Sequence, residues 1–216
     1  MENNEFPGSS NYWEDRYKSG GTSGPGSYGK LAVFKAEVIN TIIREFKINH
    51  VIEFGCGDGN QLKLCKYSNY IGLDVSKYTI KKCEEMFAND SRKQFCLYDP
   101  LCFDTNQKLS KADLTISLDV IYHLIEDEIY HKYMTDLFNT SKKYVLIYSS
   151  NYNTKQNNHV RHREFTKWID SNQKDFKLVK KIKNKYPFEF KKRKKTSKSE
   201  FYLFEKLSSK TNQLIN

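Results

Sequence analysis

The feature that most constrains the fold is the alternation of two apolar patterns between residues 30 and 150. Short apolar runs, which are typical of buried strands, are separated by longer segments in which apolar residues recur at helical spacing. Helices are predicted at 30–46, 60–67, 77–89 and 127–140, and strands at 51–54, 70–76, 93–99, 112–121 and 143–150. Strands that alternate with helices indicate a parallel sheet with both faces covered.

The pattern changes after residue 150. A helix is predicted at 163–172, and two strands, 176–186 and 199–207, follow it with no helical segment between them. Two consecutive strands of this kind are expected to pair as an antiparallel hairpin. The sequence therefore predicts an α/β fold, in which a doubly wound, mostly parallel sheet of seven strands ends in a C-terminal antiparallel hairpin.

Glycine is concentrated in two short segments, 20–29 and 55–59. Glycine lets a backbone turn sharply or approach a ligand closely. The first segment, GGTSGPGSYG, runs into Lys30 and comes close to a phosphate-loop pattern. That loop needs a hydroxyl where Leu31 stands, and it also needs a buried strand before it, which is missing here. A nucleoside-triphosphate site is therefore not expected in this segment.

The second glycine segment lies between a predicted strand and a predicted helix, where a doubly wound sheet binds its ligand against backbone N–H groups. Asp74 comes nineteen residues after Gly55, at the end of the next strand, where a carboxylate can accept hydrogen bonds from both hydroxyls of a ribose. Asn60 stands where the dinucleotide pattern G-x-G-x-x-G has its third glycine. An NAD-dependent dehydrogenase is therefore disfavoured.

The segments VIEFGCGDG and YIGLDVS together resemble motif I and the acidic partner of class I S-adenosylmethionine-dependent methyltransferases, and the element order of residues 30–206 agrees. The resemblance implies an enzyme with the Rossmann-like methyltransferase fold and S-adenosylmethionine as its cofactor. It implies that Asp74 binds the ribose, that Asp99 meets the adenine amino group, and that TISLDVIYHL lines the methyl-transfer site. The cofactor-binding residues expected in this domain are Glu53, Gly55, Cys56, Gly57, Asp74, Val75, Asp99, Pro100 and Leu118.

The N-terminal segment NYWEDRYKSGG resembles the opening of several small-molecule methyltransferases. The resemblance implies that Tyr12, Trp13 and Arg16 fold over the cofactor, with Arg16 paired to the methionine carboxylate. Residues 1–29 would then form a cap whose glycine segment is a lid joint, residues 30–208 the catalytic domain, and residues 209–216 a loose tail. A disordered leader with Trp13 packed on the core is the alternative.

Candidates for the chemical step and for the acceptor lie after the fourth and fifth strands. His123 follows the fourth strand and is either a general base or a packed histidine that contacts the cofactor. His159, Arg161 and Arg163 follow the fifth strand, and two guanidinium groups there suit an anionic acceptor, although a solvated basic turn fits the same residues. Tyr28, in the first glycine segment, is also predicted to contact the substrate.

A narrower resemblance concerns residues 19–40 and 159–169, which are similar to bacterial methyltransferases associated with capsule and surface-polysaccharide synthesis. Some of those enzymes are thought to O-methylate phosphoramidate groups on capsular sugars. The resemblance implies O-methylation of a small, anionic or sugar-linked acceptor. A phosphoramidate oxygen is already charged, so such an acceptor would need no proton removal by His123.

The positive charge of the chain suggests two further functions. Residues 174–198 hold twelve Lys and Arg against two acidic residues, which accounts for the whole net charge of +10. Such a run suits an RNA or protein methyltransferase, but alternating Lys residues also protect an exposed edge strand. An inactive partner subunit that only binds S-adenosylmethionine is the non-enzymatic alternative, and the intact set of Gly55, Gly57, Asp74 and Asp99 argues against it.

Composition and short motifs restrict the cellular location that is expected for the protein. No apolar run approaches the ~20 residues of a membrane span, and the first residues lack the pattern of a secretory signal. The five cysteines show neither a CxxC pair nor the spacing of a metal site. We therefore expect reduced thiols, no metal, no membrane insertion and a cytoplasmic location.

Overall fold

The computed structural model of the chain describes residues 6–103 and 109–208. One sheet runs through the molecule, in the order β3-β2-β1-β4-β5-β7-β6. Its strands are β1 (His50–Phe54), β2 (Asn69–Asp74), β3 (Lys93–Leu97), β4 (Ala112–Leu118), β5 (Ser141–Ser149), β6 (Phe176–Ile182) and β7 (Glu200–Lys206). The helices are α1 (Ser9–Lys18), α2 (Gly29–Glu45), α3 (Lys77–Met86), α4 (Asp127–Asn139) and α5 (Phe165–Asn172).

Strands β1 to β5 are parallel to one another, while β7 runs antiparallel to both β5 and β6. The predicted doubly wound sheet with a C-terminal antiparallel hairpin is therefore confirmed. The strand order reverses between β1 and β4, which are hydrogen-bonded neighbours. A ligand crevice opens outside the carboxyl ends of the strands at such a reversal. The fold thus places the second glycine segment, directly after β1, at this crevice.

The two faces of the sheet are covered by different helices. Val51 of β1 belongs to an apolar cluster with Ile39 and Ile42 of α2. Ile52, the next residue of the strand, belongs to the cluster on the other face, with Leu137 of α4 and Phe165 of α5. Successive side chains of a strand point to opposite faces, so a strand covered on both sides is apolar at both positions.

One predicted element is wrong. The helix expected at 60–67 is reduced to a single 3₁₀ turn, Leu62–Leu64. The Asn60 side chain donates to Ser27 O at 2.7 Å and the Gln61 side chain donates to Ala32 O at 3.1 Å. These bonds tie the start of the segment to the N-terminal part of the chain, and a helix of so few residues has little stability of its own.

Two further boundaries differ from the prediction. The strand expected at 112–121 ends at Leu118, because Asp119 adopts a left-handed conformation with φ of 60° and a 3₁₀ turn, Ile121–His123, follows. The strand expected at 93–99 ends at Leu97. The predicted loose tail, 209–216, lies outside the described residues. Across the described part of the chain, no helix is both long and apolar enough to cross a bilayer.

Candidate functional site

A cleft lies at the carboxyl ends of β1, β2 and β4 and encloses about 850 Å³, part of it open to solvent. Its floor is the turn after β1, and α1 covers its mouth. Most of the residues predicted for the cofactor lie in its wall. The predicted residues that line the cleft are Trp13, Glu53, Gly55, Cys56, Gly57, Asp74, Val75, Pro100, Leu118 and His123.

The glycine turn has a backbone that other residues would not tolerate. Gly55 and Gly57 have φ of 81° and 58°. A Cβ at Gly55 would lie 2.4 Å from a methyl carbon of Val120, and a Cβ at Gly57 would lie 2.3 Å from Ser23 Oγ. Both glycines are therefore required by conformation and by space. The Gly57 N–H donates to Asp74 Oδ2 at 2.9 Å, which joins the turn to the end of β2.

Asp74 is buried beside the turn. Its Oδ1 accepts from the backbone N–H of Ser76 at 3.0 Å, in addition to the bond from Gly57. Burial raises the pKa of Asp74 to about 6, although these backbone donors favour its ionised form. A carboxylate oxygen has two lone pairs, so Asp74 can accept further hydrogen bonds from a ligand in the cleft. Its position suits the hydroxyls of a ribose.

Glu53 is a second buried carboxyl group in the cleft. Only 3 % of the residue is exposed, and the Tyr70 hydroxyl donates to its Oε2 at 2.7 Å. Burial raises the pKa of Glu53 to about 7, while the nearby Lys35 ammonium lowers it. A cationic ligand would hold this carboxyl group ionised. S-adenosylmethionine has both a sulfonium and an ammonium, so Glu53 fits it.

Helix α1 is fixed over the cleft by two contacts between a serine and a carboxylate, one at its start and one near its middle. At its start, the Ser9 N–H donates to Glu126 Oε1 at 2.7 Å. Further along, Glu14 Oε2 accepts from the Ser76 hydroxyl at 2.5 Å. Between these anchors Trp13 contacts the edge of the His123 ring, with centroids 4.9 Å apart. These contacts give α1 a fixed position over the cleft.

The two glycine segments interlock. Asp58 Oδ2 accepts from the Ser23 N–H at 2.9 Å and from the Tyr28 hydroxyl at 2.7 Å. Ser23 Oγ accepts in turn from the Asp58 N–H at 2.9 Å. The first segment therefore closes over the second. Tyr28 is used in this contact and does not line the cleft, and its role in substrate binding stays a prediction.

Three residues predicted to bind the cofactor lie outside the cleft. Arg16 donates from Nε to Thr22 O at 2.8 Å, and its guanidinium carbon lies 5.5 Å from the centre of the Trp13 ring. The Tyr12 ring stacks on His159, with centroids 4.5 Å apart. Asp99 is exposed and accepts from the Leu101 N–H at 3.0 Å. The contacts of these three residues with the cofactor stay predictions.

Arg161 and Arg163, predicted as substrate contacts, are bound to other protein groups. Arg163 is only 9 % exposed and donates to Leu124 O at 2.5 Å, to Ile125 O at 2.8 Å and to Asp127 Oδ1 at 3.0 Å. Arg161 also lies 3.1 Å from Asp127 Oδ1. The two guanidinium groups hold the loop before α4 and neither lines the cleft. His159 does not line it either, but packs behind His123 with stacked rings 5.2 Å apart.

His123 is in the cleft and uncharged at neutral pH. Its Nδ1 lies 3.0 Å from His159 O, which assigns the proton to Nδ1 and leaves the Nε2 lone pair free. Burial lowers the pKa of His123 to about 4. A group of so low a pKa takes a proton poorly, and both predicted roles of His123 remain compatible with its position.

Sequence reasoning missed a buried ion pair in the cleft wall. Lys35 Nζ lies 3.1 Å from Asp119 Oδ2, and the Lys35 side chain is 0 % exposed. The signal was present, because Lys35 lies four residues before Ile39 and seven before Ile42, on the apolar face of the predicted helix. Asp119 stands within TISLDVIYHL, directly after β4.

Comparison with known proteins agrees with this geometry. Residues 52–143 match the methyltransferase domain family. Over 97 residues, 40 % of the chain, the sequence is 30 % identical to the small RNA 2′-O-methyltransferase of Arabidopsis thaliana. The chain spans about a tenth of the length of that protein, since the match covers 10 % of it.

Solved structures of low sequence identity share the fold. The methyltransferase domain of bacterial CtHen1 matches with a TM-score of 0.64 at 16 % identity, over 83 % of this chain and 100 % of that one. Magnesium protoporphyrin IX methyltransferase from Synechocystis PCC 6803, solved with S-adenosylhomocysteine, matches with a TM-score of 0.63 at 13 % identity, over 91 % and 97 %. The N-methyltransferase NodS from Bradyrhizobium japonicum, also solved with S-adenosylhomocysteine, matches with a TM-score of 0.63 at 14 % identity, over 82 % and 86 %.

Residues 52–143 thus match a methyltransferase domain, and the sheet order and the cleft agree with that match. The two neighbours solved with S-adenosylhomocysteine indicate S-adenosylmethionine as the cofactor.

Proposed function

We propose that the chain transfers a methyl group from S-adenosylmethionine to an oxygen of a small, sugar-linked acceptor. The observation that supports this most directly is the roofed cleft at the reversal of strand order, with the glycine turn and Asp74 on one side. A methyl donor needs alignment and exclusion of water more than acid–base chemistry from the protein. Helix α1 supplies the exclusion of water.

The cleft has the groups that the methyl donor requires. Asp74 would hold the ribose hydroxyls, the backbone of Gly55 and Gly57 would allow close approach, and Glu53 would face the cationic part. The bound cofactor supplies an activated methyl group. The other wall, with His123, Asp119 and Lys35, is left for the acceptor.

The sugar-linked nature of the acceptor rests on the size and polarity of that wall and on the resemblance of residues 19–40 and 159–169 to surface-polysaccharide methyltransferases. We therefore propose surface-polysaccharide synthesis, including phosphoramidate-bearing sugars, as the setting of the reaction. Arg161 and Arg163 no longer support an anionic acceptor, because both are bound to Asp127. The cationic group that faces the cleft is Lys35.

RNA is the second candidate acceptor. A groove open to solvent runs along the outer side of the first glycine segment and is lined by Arg16, Lys30, Lys194 and Lys195. Within residues 6–103 and 109–208, none of these four cations has an acidic partner in an ion pair. Such a groove suits a phosphate backbone, and the likeness to a small RNA 2′-O-methyltransferase points the same way.

The test follows labelled methyl groups from S-adenosylmethionine into a panel of acceptors. The panel contains galactose 1-phosphate, UDP-N-acetylgalactosamine, a phosphoramidate-bearing galactoside and a short single-stranded RNA. We expect transfer to at least one sugar compound and little to RNA. Transfer to RNA alone would favour the second candidate, and binding without any transfer would favour an inactive subunit.

Calorimetry with S-adenosylhomocysteine tests the cofactor site separately. Asp74→Ala should weaken binding at least ~100-fold, because two hydrogen bonds to ribose hydroxyls are lost. Asp113→Asn is the matched control, since Asp113 also accepts from backbone N–H groups, those of Asn49 and His50, but at the start of β1. Equal affinities of Asp74→Ala and the wild type would refute the assignment of the ribose site.

A further inference from the structure

The acceptor side of the cleft contains a carboxylate in an unusual backbone conformation. Asp119 directly follows β4 with φ of 60°, a region that residues other than glycine rarely adopt. Its N–H donates to Tyr148 O at 2.8 Å, which holds the backbone against β5. Strain of this kind persists where surrounding contacts enforce it, and it is frequent at functional sites. The strained backbone therefore marks Asp119 as a candidate functional residue.

The Asp119 carboxylate interacts with three protein groups, and one of them is the Tyr122 hydroxyl. The Ser199 hydroxyl donates to Oδ1 at 2.7 Å, and Lys35 Nζ lies 3.1 Å from Oδ2. The Asp119 side chain is 15 % exposed and lines the cleft. Two carboxylate oxygens have about four lone-pair sites in total, so one site remains for a further hydrogen bond. The carboxylate is thus oriented but not saturated.

Lys35 is buried without a full set of acceptors. An ammonium group has three donors, and within the described residues Lys35 Nζ makes one hydrogen bond, to Asp119. The ring of Tyr148 lies 5.4 Å away, at the range of a cation–π contact. A buried cation is costly unless its donors are satisfied. Because Lys35 lines the cleft, a ligand there can accept from the remaining donors.

The first glycine segment covers this ion pair. A Cβ at Gly26 would lie 2.8 Å from Asp119 Oδ2 and 3.9 Å from Lys35 Nζ, so the backbone of the segment is packed directly on the pair. Ser27, the next residue, lines the cleft. The pair is thus enclosed between β4, α2 and the first glycine segment, and its open side is the cleft.

We propose that Asp119, oriented by Lys35 and Ser199, takes the proton of the acceptor, and that the acceptor atom is therefore a hydroxyl oxygen and not an oxyanion. A hydroxyl donates to the Asp119 carboxylate and accepts from the Lys35 ammonium, which matches both halves of the pair. An oxyanion can only accept, and it would face a carboxylate. This inference rests on the proposed function.

The chemical step is balanced without another reactant. The hydroxyl oxygen forms a bond to the methyl carbon as the carbon–sulfur bond breaks, and the electron pair of that bond stays on sulfur. The hydroxyl proton passes to the Asp119 carboxylate and later to water. The products are the methyl ether, a neutral thioether and one proton.

The test compares Asp119→Asn with Asp113→Asn. Asp113 lies at the start of β4, and Asp119 directly follows its end. Each is paired with a lysine, and the partner of Asp113 is Lys143, whose Nζ lies 3.4 Å from Oδ1. The substrate is the sugar compound of the panel above that the wild type methylates fastest, together with its analogue carrying a thiol at the reacting carbon. A thiol ionises near pH ~8.5 without help, so its methylation needs no base.

We expect Asp119→Asn to lower kcat on the hydroxyl acceptor at least ~100-fold and on the thiol analogue less than ~3-fold. Affinity for the hydroxyl acceptor, measured by calorimetry with S-adenosylhomocysteine bound so that no transfer occurs, should fall about tenfold because one hydrogen bond is lost. Asp113→Asn should change none of these values. Equal losses on hydroxyl and thiol, or no loss on either, would overturn the proposal.

Ser199→Ala is a milder variant that tests the role of Asp119 even if Asp119→Asn does not fold. It removes one donor to the carboxylate and should lower kcat about tenfold on the hydroxyl alone. A loss of the same size on the thiol would contradict the role of Asp119. Affinity for S-adenosylhomocysteine is measured in every variant. A wild type that does not bind this compound refutes the proposed function, whereas intact binding with unselective losses refutes only the role of Asp119.

Discussion

Replacing Glu53 by glutamine should make the protein more stable and a poorer ligand binder at the same time. Burial raises the pKa of Glu53 from 4.5 to about 7. At about 1.36 kcal/mol per tenfold change in acidity, the ionised carboxylate costs the folded state ~3 kcal/mol above pH 7. A raised acid pKa means that the folded state binds the proton more tightly, so this cost is absent below pH 4.5 and grows between pH 4.5 and 7.

The measurement is urea unfolding of the wild type and Glu53→Gln at several pH values. The variant keeps an acceptor for the Tyr70 hydroxyl, which lies 2.7 Å from Glu53 Oε2. It should exceed the wild type in unfolding free energy by ~1 kcal/mol at about pH 5.5 and by ~3 kcal/mol at about pH 8. Glu45→Gln is the control, because Glu45 is exposed and paired with Lys180. A difference that does not change with pH would refute the reasoning.

The same substitution should act on ligand binding with the opposite sign. A cationic ligand holds Glu53 ionised, so wild-type affinity for S-adenosylmethionine should rise as pH increases towards about 7, with release of a proton. Glu53→Gln should bind more weakly and with a smaller pH dependence, since Asp74, whose pKa burial raises to about 6, still titrates in the cleft. Calorimetry in two buffers of different ionisation enthalpy would detect the proton, and identical proton release by both proteins would contradict the assignment to Glu53.

Two further predictions concern the backbone of the site. Gly57→Ala should weaken S-adenosylhomocysteine binding at least ~10-fold by calorimetry, because its Cβ would lie 2.3 Å from Ser23 Oγ at a φ of 58°, whereas an unchanged affinity would show that the turn adapts. Arg163→Met should lower the unfolding free energy in urea by ~3 kcal/mol, since Leu124 O loses the Arg163 donor and Asp127 loses one of its two cationic partners. A loss of acceptor affinity at unchanged stability would support the role of Arg163 as a substrate contact.

The fold and the cofactor side of the cleft could be predicted because their signals are local. Strand and helix periodicities repeat within single segments, and the glycines at 55 and 57 predict a tight turn without knowledge of any distant residue. Asp74 was found by its distance from that turn along the chain. None of these inferences requires knowledge of which distant residues meet.

The errors have the opposite origin. The ion pair of Arg163 is not visible in the sequence, because its partner Asp127 lies thirty-six residues away in the chain. The helix predicted at 60–67 does not form, because the Asn60 side chain is bound to Ser27, which precedes α2 in the chain. Lys35 was overlooked because a lysine within a helix is normally solvated, and the burial of this one depends on Asp119. Long-range pairing of polar groups is the information that the sequence pattern lacks.

The contact between Asp58 and the first glycine segment has a consequence for where this domain begins. A chain shortened to start at Gly29 would retain every strand and the covering helices of the sheet. It would lose Ser23, the partner of Asp58 through both backbone and side chain. The turn after β1 would then be left with unsatisfied polar groups, and it would lose its shape together with its cover. The smallest fragment able to form the crevice must therefore extend well upstream of the sheet that appears to define it.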